Sequence, residues 1–138
     1  MRLLQYTLFL TICLLSAFTA WAEDTEGTEK IQEAKVEYVD LKPSIIANYV
    51  APTLHYLKAD LTLQVRGAET VKAIERQRPH IIHNLVMLFS RQDHETVSSS
   101  EGRDRLKQES LAEVIQALEA EDEPADIEAV LFTSFIVE

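Results

Sequence analysis

Leu54-His55-Tyr56-Leu57-Lys58-Ala59-Asp60-Leu61-Thr62-Leu63-Gln64-Val65-Arg66 decides the fold. Leu57, Ala59, Leu61, Leu63 and Val65 fall on one side of an extended chain, and Tyr56, Lys58, Asp60, Thr62, Gln64 and Arg66 on the other. Side chains alternate across a strand, so this pattern predicts a strand with one buried face and one wet face. One-sided burial belongs to antiparallel or mixed sheets, with the opposite layer supplied by helices or a second sheet. Gly67 breaks the alternation.

Working outward, Ala68 to Arg78 shifts to a helical period through Ala68, Val71 and Ile74. Pro79 interrupts it and fits the first turn of a second helix after a bend. From His80 to Arg91, a wide apolar stripe of Ile81, Ile82, Leu85, Val86, Leu88 and Phe89 predicts a heavily buried or partner-shared helix. Gln92 to Ser100 reads as a polar turn. Ser98 and Glu101 have capping-box spacing ahead of a helix that runs to about Ala120, with Leu106, Leu111, Val114, Ile115 and Leu118 inward. Glu121-Asp122-Glu123-Pro124 ends it. Ile127 to Val137 is apolar on both faces and predicts an interior strand, or an edge that something covers. Upstream, Val36 to Leu41 is a short strand stopped by Lys42-Pro43, and Ser44 to Pro52 an irregular or short extended segment. The expected class is α+β: a small mixed or antiparallel sheet of three to four strands with helices on one face.

The N-terminal residues stand apart. Met1-Arg2, an apolar run from Leu3 to Phe18 and Ala20-Trp21-Ala22 form the layout of a secretory signal peptide. Leu3 to Ala22 is also long enough to cross a bilayer at about 1.5 Å per residue, so an uncleaved membrane anchor is the alternative. Either way, Glu23 onward is expected outside the cytoplasm. Residues 23–35 are acidic and nearly devoid of large apolar side chains, which predicts a linker before a domain spanning 36–138. Of the 138 residues, 116 follow the 22-residue leader, enough for one modest core.

Charge excludes further classes. With 13 Lys+Arg against 23 Asp+Glu, the chain suits neither nucleic acid nor an anionic membrane surface. The single cysteine, Cys13, lies in the leader, so no disulfide or thiolate chemistry is expected beyond it. Three glycines form no phosphate-binding loop. His80 and His83 share a helix spacing but lack a third ligand at a metal-like distance, and no nucleophile elbow is present. The run from Glu119 to Glu128 holds six acids and no Lys or Arg. It lacks the central glycine and alternating ligands of a calcium loop, and reads as a solvated helix end and turn. Residues 66–107 carry eight basic and six acidic residues, a charge layout that favours head-to-tail association of copies.

Five segments in order resemble the FliL family of flagellar basal-body-associated proteins. They are Tyr38-Val39-Asp40-Leu41-Lys42-Pro43 with Asn48; Tyr56-Leu57-Lys58 leading to Leu61, Leu63 and Val65; Pro79 with Ile82, His83, Asn84, Leu88 and Ser90; Ser100-Glu101-Gly102-Arg103 with Leu106-Lys107-Gln108-Glu109; and Val130 to Glu138. The resemblance implies a periplasmic, stomatin-like (SPFH) α+β domain that assembles in rings. It implies a non-enzymatic role at the flagellar motor, with stator units and basal-body proteins as partners, no cofactor, and membrane proximity through partners or an uncleaved N-terminal helix. Tyr56, His83, Asn84, Arg103 and Phe135 are the candidate interaction positions, with core packing and capping as the competing role.

Three departures from the family pattern stand out. Only Met1-Arg2 precedes the apolar run, where the family carries a cytoplasmic tail and membrane helix. His83 stands where Arg is usual, so a charge contact there would depend on pH. Glu138 replaces a terminal Gln. A general periplasmic scaffold of the same fold, and a metal-binding module or hydrolase using His80 and His83, are the competing functions.

Overall fold

The computed structural model describes residues 35–138, so the expected leader, anchor and most of the acidic linker lie outside the described residues. Strand β1 (Val36–Asn48) pairs antiparallel with β2 (Tyr56–Arg66), and β2 pairs antiparallel with β3 (Ile127–Val137). The sheet order is β1-β2-β3. Helices α1 (Ala68–Ser90), α2 (His94–Ser98) and α3 (Ser100–Glu119) connect β2 to β3. The fold is α+β, with three antiparallel strands and three helices.

Alternation in β2 does what its pattern demands. Leu57, Ala59, Leu61, Leu63 and Val65 are all buried, facing Ile74, Ile81, Leu85 and Phe89 of α1 and Leu106, Val114 and Leu118 of α3 in one core cluster. The strand with the cleanest alternation is therefore the central one: both of its edges are paired while only one of its faces is covered. β3, largely apolar, is an edge strand, so of the two places expected for it, interior or covered edge, the interior one is excluded. Among the described residues no strand pairs with its second edge. The apolar residues that suggested an interior place, Leu131 and Ile136, sit on the outer sheet face and are 39% and 44% exposed.

Three local expectations are corrected by packing. First, β1 does not stop at Pro43. It continues to Asn48 across a register shift between Leu41 and Ile45. A proline lacks the N–H for a ladder but is tolerated at an irregularity of an edge strand, and Ile45 and Ala47 are buried beyond it. Second, Ala68–Ser90 is a single helix with Pro79 inside. Pro79 is exposed, whereas Ile74, Ile81 and Leu85 clamp the turns on either side to the sheet, so tertiary burial overrides the lost intrahelical bond. Third, Ser99 rather than Ser98 caps α3, accepting from the Gly102 backbone N–H at 3.0 Å. Ser98 is instead absorbed into α2, within the segment expected to be a turn, where its Oγ donates to the His94 carbonyl. α2 has its own cap: Asp93 accepts from the Thr96 N–H at 2.8 Å. Those bonds hold the Asp93 carboxyl below its ordinary range, because the backbone donor stabilises the charged form.

α3 ends in a tight reversal. The Glu123 N–H bonds the Leu118 carbonyl and the Asp122 N–H the Glu119 carbonyl, with Asp122 at φ 55°. This pairing is the Schellman ending, and Asp tolerates the left-handed position it needs. Among the described residues no helix is long and apolar enough to cross a membrane.

Because the proline face of α1 is solvated, Pro79→Ala restores a donor for the Glu75 carbonyl without disturbing the core. A proline in a helix interior costs about 3 kcal/mol, offset by up to about 1 kcal/mol of lost unfolded-state freedom. Pro79→Ala is expected to stabilise the domain by about 2 kcal/mol, read as a higher urea midpoint. An unchanged or lower midpoint would show that the ring stabilises the helix by its own contacts.

Candidate functional site

The five motif positions fall in three places. Phe135 and Arg103 meet at the junction of β3 and α3. The Arg103 guanidinium lies 6.0 Å from the Phe135 ring centroid and donates to the Ser98 carbonyl at 3.1 Å, so one side chain closes the end of α2 and covers an aromatic. Phe135 continues inward through Phe132 (5.1 Å) to the fully buried Phe89 (6.1 Å, edge-on), an arrangement that aromatic quadrupoles favour. Tyr56 stands on the outer sheet face. Its backbone exchanges two hydrogen bonds with Glu138, at 2.8 and 2.9 Å, and its phenol donates to the Glu138 carboxylate. The remaining two, His83 and Asn84, are neighbours on α1 with different surroundings. His83 is exposed. Asn84 lines a groove of about 210 Å³ between α1 and α3, together with His80, Met87, Arg91 and Glu113.

Glu138, the departure from the family's terminal glutamine, thus has a definite partner. The carboxylate accepts from the Tyr56 hydroxyl and opposes a second negative charge beside it, so the phenol is pushed above its usual value near 10. Glu138→Gln removes the charge, and Tyr56 is expected to ionise at lower pH than in the parent chain. Ultraviolet titration of the tyrosinate band checks this; an unmoved curve would mean that the two side chains do not meet in solution.

A cluster invisible in the sequence forms at the β1–β2 loop. Tyr49, buried, forms a triangle of rings with His55 (5.7 Å) and His94 (6.0 Å), whose imidazoles are 5.9 Å apart. The Tyr49 hydroxyl shares a 3.0 Å hydrogen bond with His94 Nδ1, and Thr53 Oγ1 a 2.7 Å bond with His55 Nε2. The Val50 N–H donates to the Gln92 carbonyl at 2.9 Å, tying the same loop to the α1–α2 turn. His55 and His94 come from segments 39 residues apart in sequence, so no local spacing signals their meeting. Their engaged nitrogens make this a structural clasp.

The outer sheet face carries a depression. The register shift in β1 and another between Asp60 and Leu61 in the β2–β3 pair lie at one level and open a space of about 610 Å³ among Asp40, Lys42, Pro43, Asp60 and Thr133. Asp40 accepts from the Thr62 hydroxyl at 2.7 Å, and Thr133 Oγ1 donates to the Asp60 carbonyl at 3.2 Å. His80 Nδ1 lies 4.0 Å from a Glu121 oxygen. Among the described residues no group of three or more His, Asp or Glu is arranged to hold a metal ion.

Caps, the Tyr49–His55–His94 contacts and cross-strand pairs engage many polar groups of these regions with each other. What the described residues display is surface: a sheet face that none of them covers and two strand edges that none of them pairs. The chain matches the family model described as flagellar basal body-associated protein FliL over residues 38–137, from the third residue of β1 to the last of β3. Comparison with curated proteins gives no match. With 100 of its 138 residues matched, strands, helices and connecting caps included, the chain belongs to the FliL family of flagellar basal body-associated proteins.

Proposed function

We propose that this protein is a non-enzymatic accessory of the flagellar motor, working in the periplasm through protein–protein contact with stator and basal-body proteins and supporting swimming and swarming. The observation that carries this reading is the family match from within β1 to the end of β3, residues 38–137. Ring assembly of copies, a stomatin-like relationship of the fold, and export or anchoring by residues 1–22 ahead of an acidic linker and a domain from residue 36 belong to the same reading. Tyr56, His83, Asn84, Arg103 and Phe135 are its candidate contact positions. Of these, Tyr56 and His83 are the exposed ones and therefore the stronger candidates for touching a partner; Asn84, Arg103 and Phe135 are partly buried and shape the surface.

The test is genetic. Disrupting the coding sequence is expected to reduce swimming and swarming, most under viscous load, while export of unrelated periplasmic proteins stays normal. Full motility under load would overturn the flagellar role and leave a general scaffold as the better account.

A further inference from the structure

Beyond two register shifts and Glu128 at its start, the β3 edge carries less protection than β1. On β1, Arg78 Nη1 donates to the Asp40 carbonyl at 2.8 Å, Pro43 interrupts the ladder, and Glu37, Asp40 and Lys42 add charge. Proteins guard open edges with prolines, charges and irregularities, because an unpaired row of N–H and C=O groups invites another strand. On β3, Ala129 to Val137 contains no proline and no charged residue. The shifts opposite Asp60/Leu61 and Gln64/Val65 leave Ala129–Phe132 and Ser134–Val137 as regular stretches.

Ladder geometry shows which groups face away from β2. Tyr56 and Glu138 exchange two backbone hydrogen bonds, so Glu138 directs its polar groups at β2. In an antiparallel ladder the next residue directs its groups the other way. Val137 and Phe135 therefore present their N–H and C=O to the open edge, with Ile136 exposed on the outer face between them.

Charge selects the occupant. The turn feeding β3 carries Glu119, Glu121, Asp122, Glu123 and Asp126, of which only Glu123 is bound to an arginine, Arg76, at 2.9 Å. The far end is flanked by Arg103 over Phe135. A second copy of β3 laid antiparallel about Phe132 would set Glu138 against Asp126 at both ends, and opposed like charges are unfavourable. The acidity that a second copy would double is what a basic segment would neutralise.

We infer that β3 accepts an extended peptide from a partner protein as a fourth, antiparallel strand, with apolar residues alternating along it and Lys or Arg following its C-terminal end to meet the acidic turn at 119–126. This rests on the proposed role as a protein-docking element and specifies the chemistry of the docked segment. Main-chain bonds would supply affinity, and the acidic turn would set direction.

The probe is a fluorescent peptide of alternating valine and threonine closed by three lysines, titrated into the purified full chain and followed by anisotropy. The expected dissociation constant is on the order of 100 μM, weakened about tenfold when the lysines become glutamates and about tenfold when alternate backbone nitrogens are methylated. Val137→Pro, which removes a free N–H without touching the β2 ladder, is expected to weaken binding similarly. Equal binding of the methylated peptide, equal binding of the glutamate peptide, or no saturable binding below about 1 mM would overturn the inference. So would concentration-dependent dimerisation of the chain abolished by Val137→Pro, which would make a second copy the occupant. A motility defect without peptide binding sinks this inference alone, and peptide binding with normal motility sinks only the flagellar role.

Discussion

Replacing Gly102 with alanine is expected to destabilise the domain by about 3 kcal/mol, although the position lies in a helix. In an ordinary helix the exchange gains about 0.5–1 kcal/mol, because glycine gives up more backbone freedom on folding. Here α3 leaves its Ser99 cap directly against α2, and a Cβ on Gly102 would stand 2.1 Å from the Thr96 carbonyl oxygen and 2.7 Å from two more backbone atoms of that residue. Those atoms belong to backbone whose N–H is held by Asp93, so no side-chain rotation relieves the overlap. Overpacking of a fixed site costs about 1–3 kcal/mol, and contact between two backbones belongs at the upper end. Urea unfolding checks the value, with Ser100→Ala as the solvent-facing control. A Gly102→Ala chain as stable as the parent would mean that α2 and α3 do not approach this closely. The glycine in the Ser100-Glu101-Gly102-Arg103 motif thus has a steric reason.

The second large effect is expected at Phe89. Its side chain is fully buried at the contact of α1 with β3 and anchors the aromatic row through Phe132 to Phe135. Truncation of such a residue removes transfer free energy and leaves a cavity, so Phe89→Ala is expected to cost about 4 kcal/mol. Against the 5–15 kcal/mol typical of domains, that brings the chain close to its unfolding threshold. Phe89→Leu, which keeps most of the volume, is expected to cost about 1 kcal/mol. A double-mutant cycle with Phe132→Ala isolates the ring–ring contribution, expected at about 1 kcal/mol beyond simple burial. A Phe89→Ala penalty under about 2 kcal/mol would show that the cavity collapses and that the row does not carry the packing.

Legibility followed the range of the interaction. Periodicity along β2 named its buried residues, and along α3 it named Leu106, Val114 and Leu118 as buried with Leu111 and Ile115 only partly so, since each helix or strand buries one face and writes that face into its own sequence. The junctions were less legible. The cap slipped from Ser98 to Ser99 because two serines offer the same oxygen one residue apart, and only the approach of α2 to Gly102 chooses between them. Pro79 reads locally as a break, and the burial of Ile74, Ile81 and Leu85 keeps the helix whole. The clasp of Tyr49, His55 and His94 had no signal at all, as its members come from a strand end, a loop and a helix start.

By itself, the sequence determined the layer arrangement and the family, because alternation, helical period and ordered motifs are properties of neighbouring residues. Only the tertiary structure decided that β2 is central and β3 an edge that no other described strand pairs. Strand order depends on which backbone groups find partners across space, and an apolar strand reads the same from its sequence whether its second edge is filled or still open.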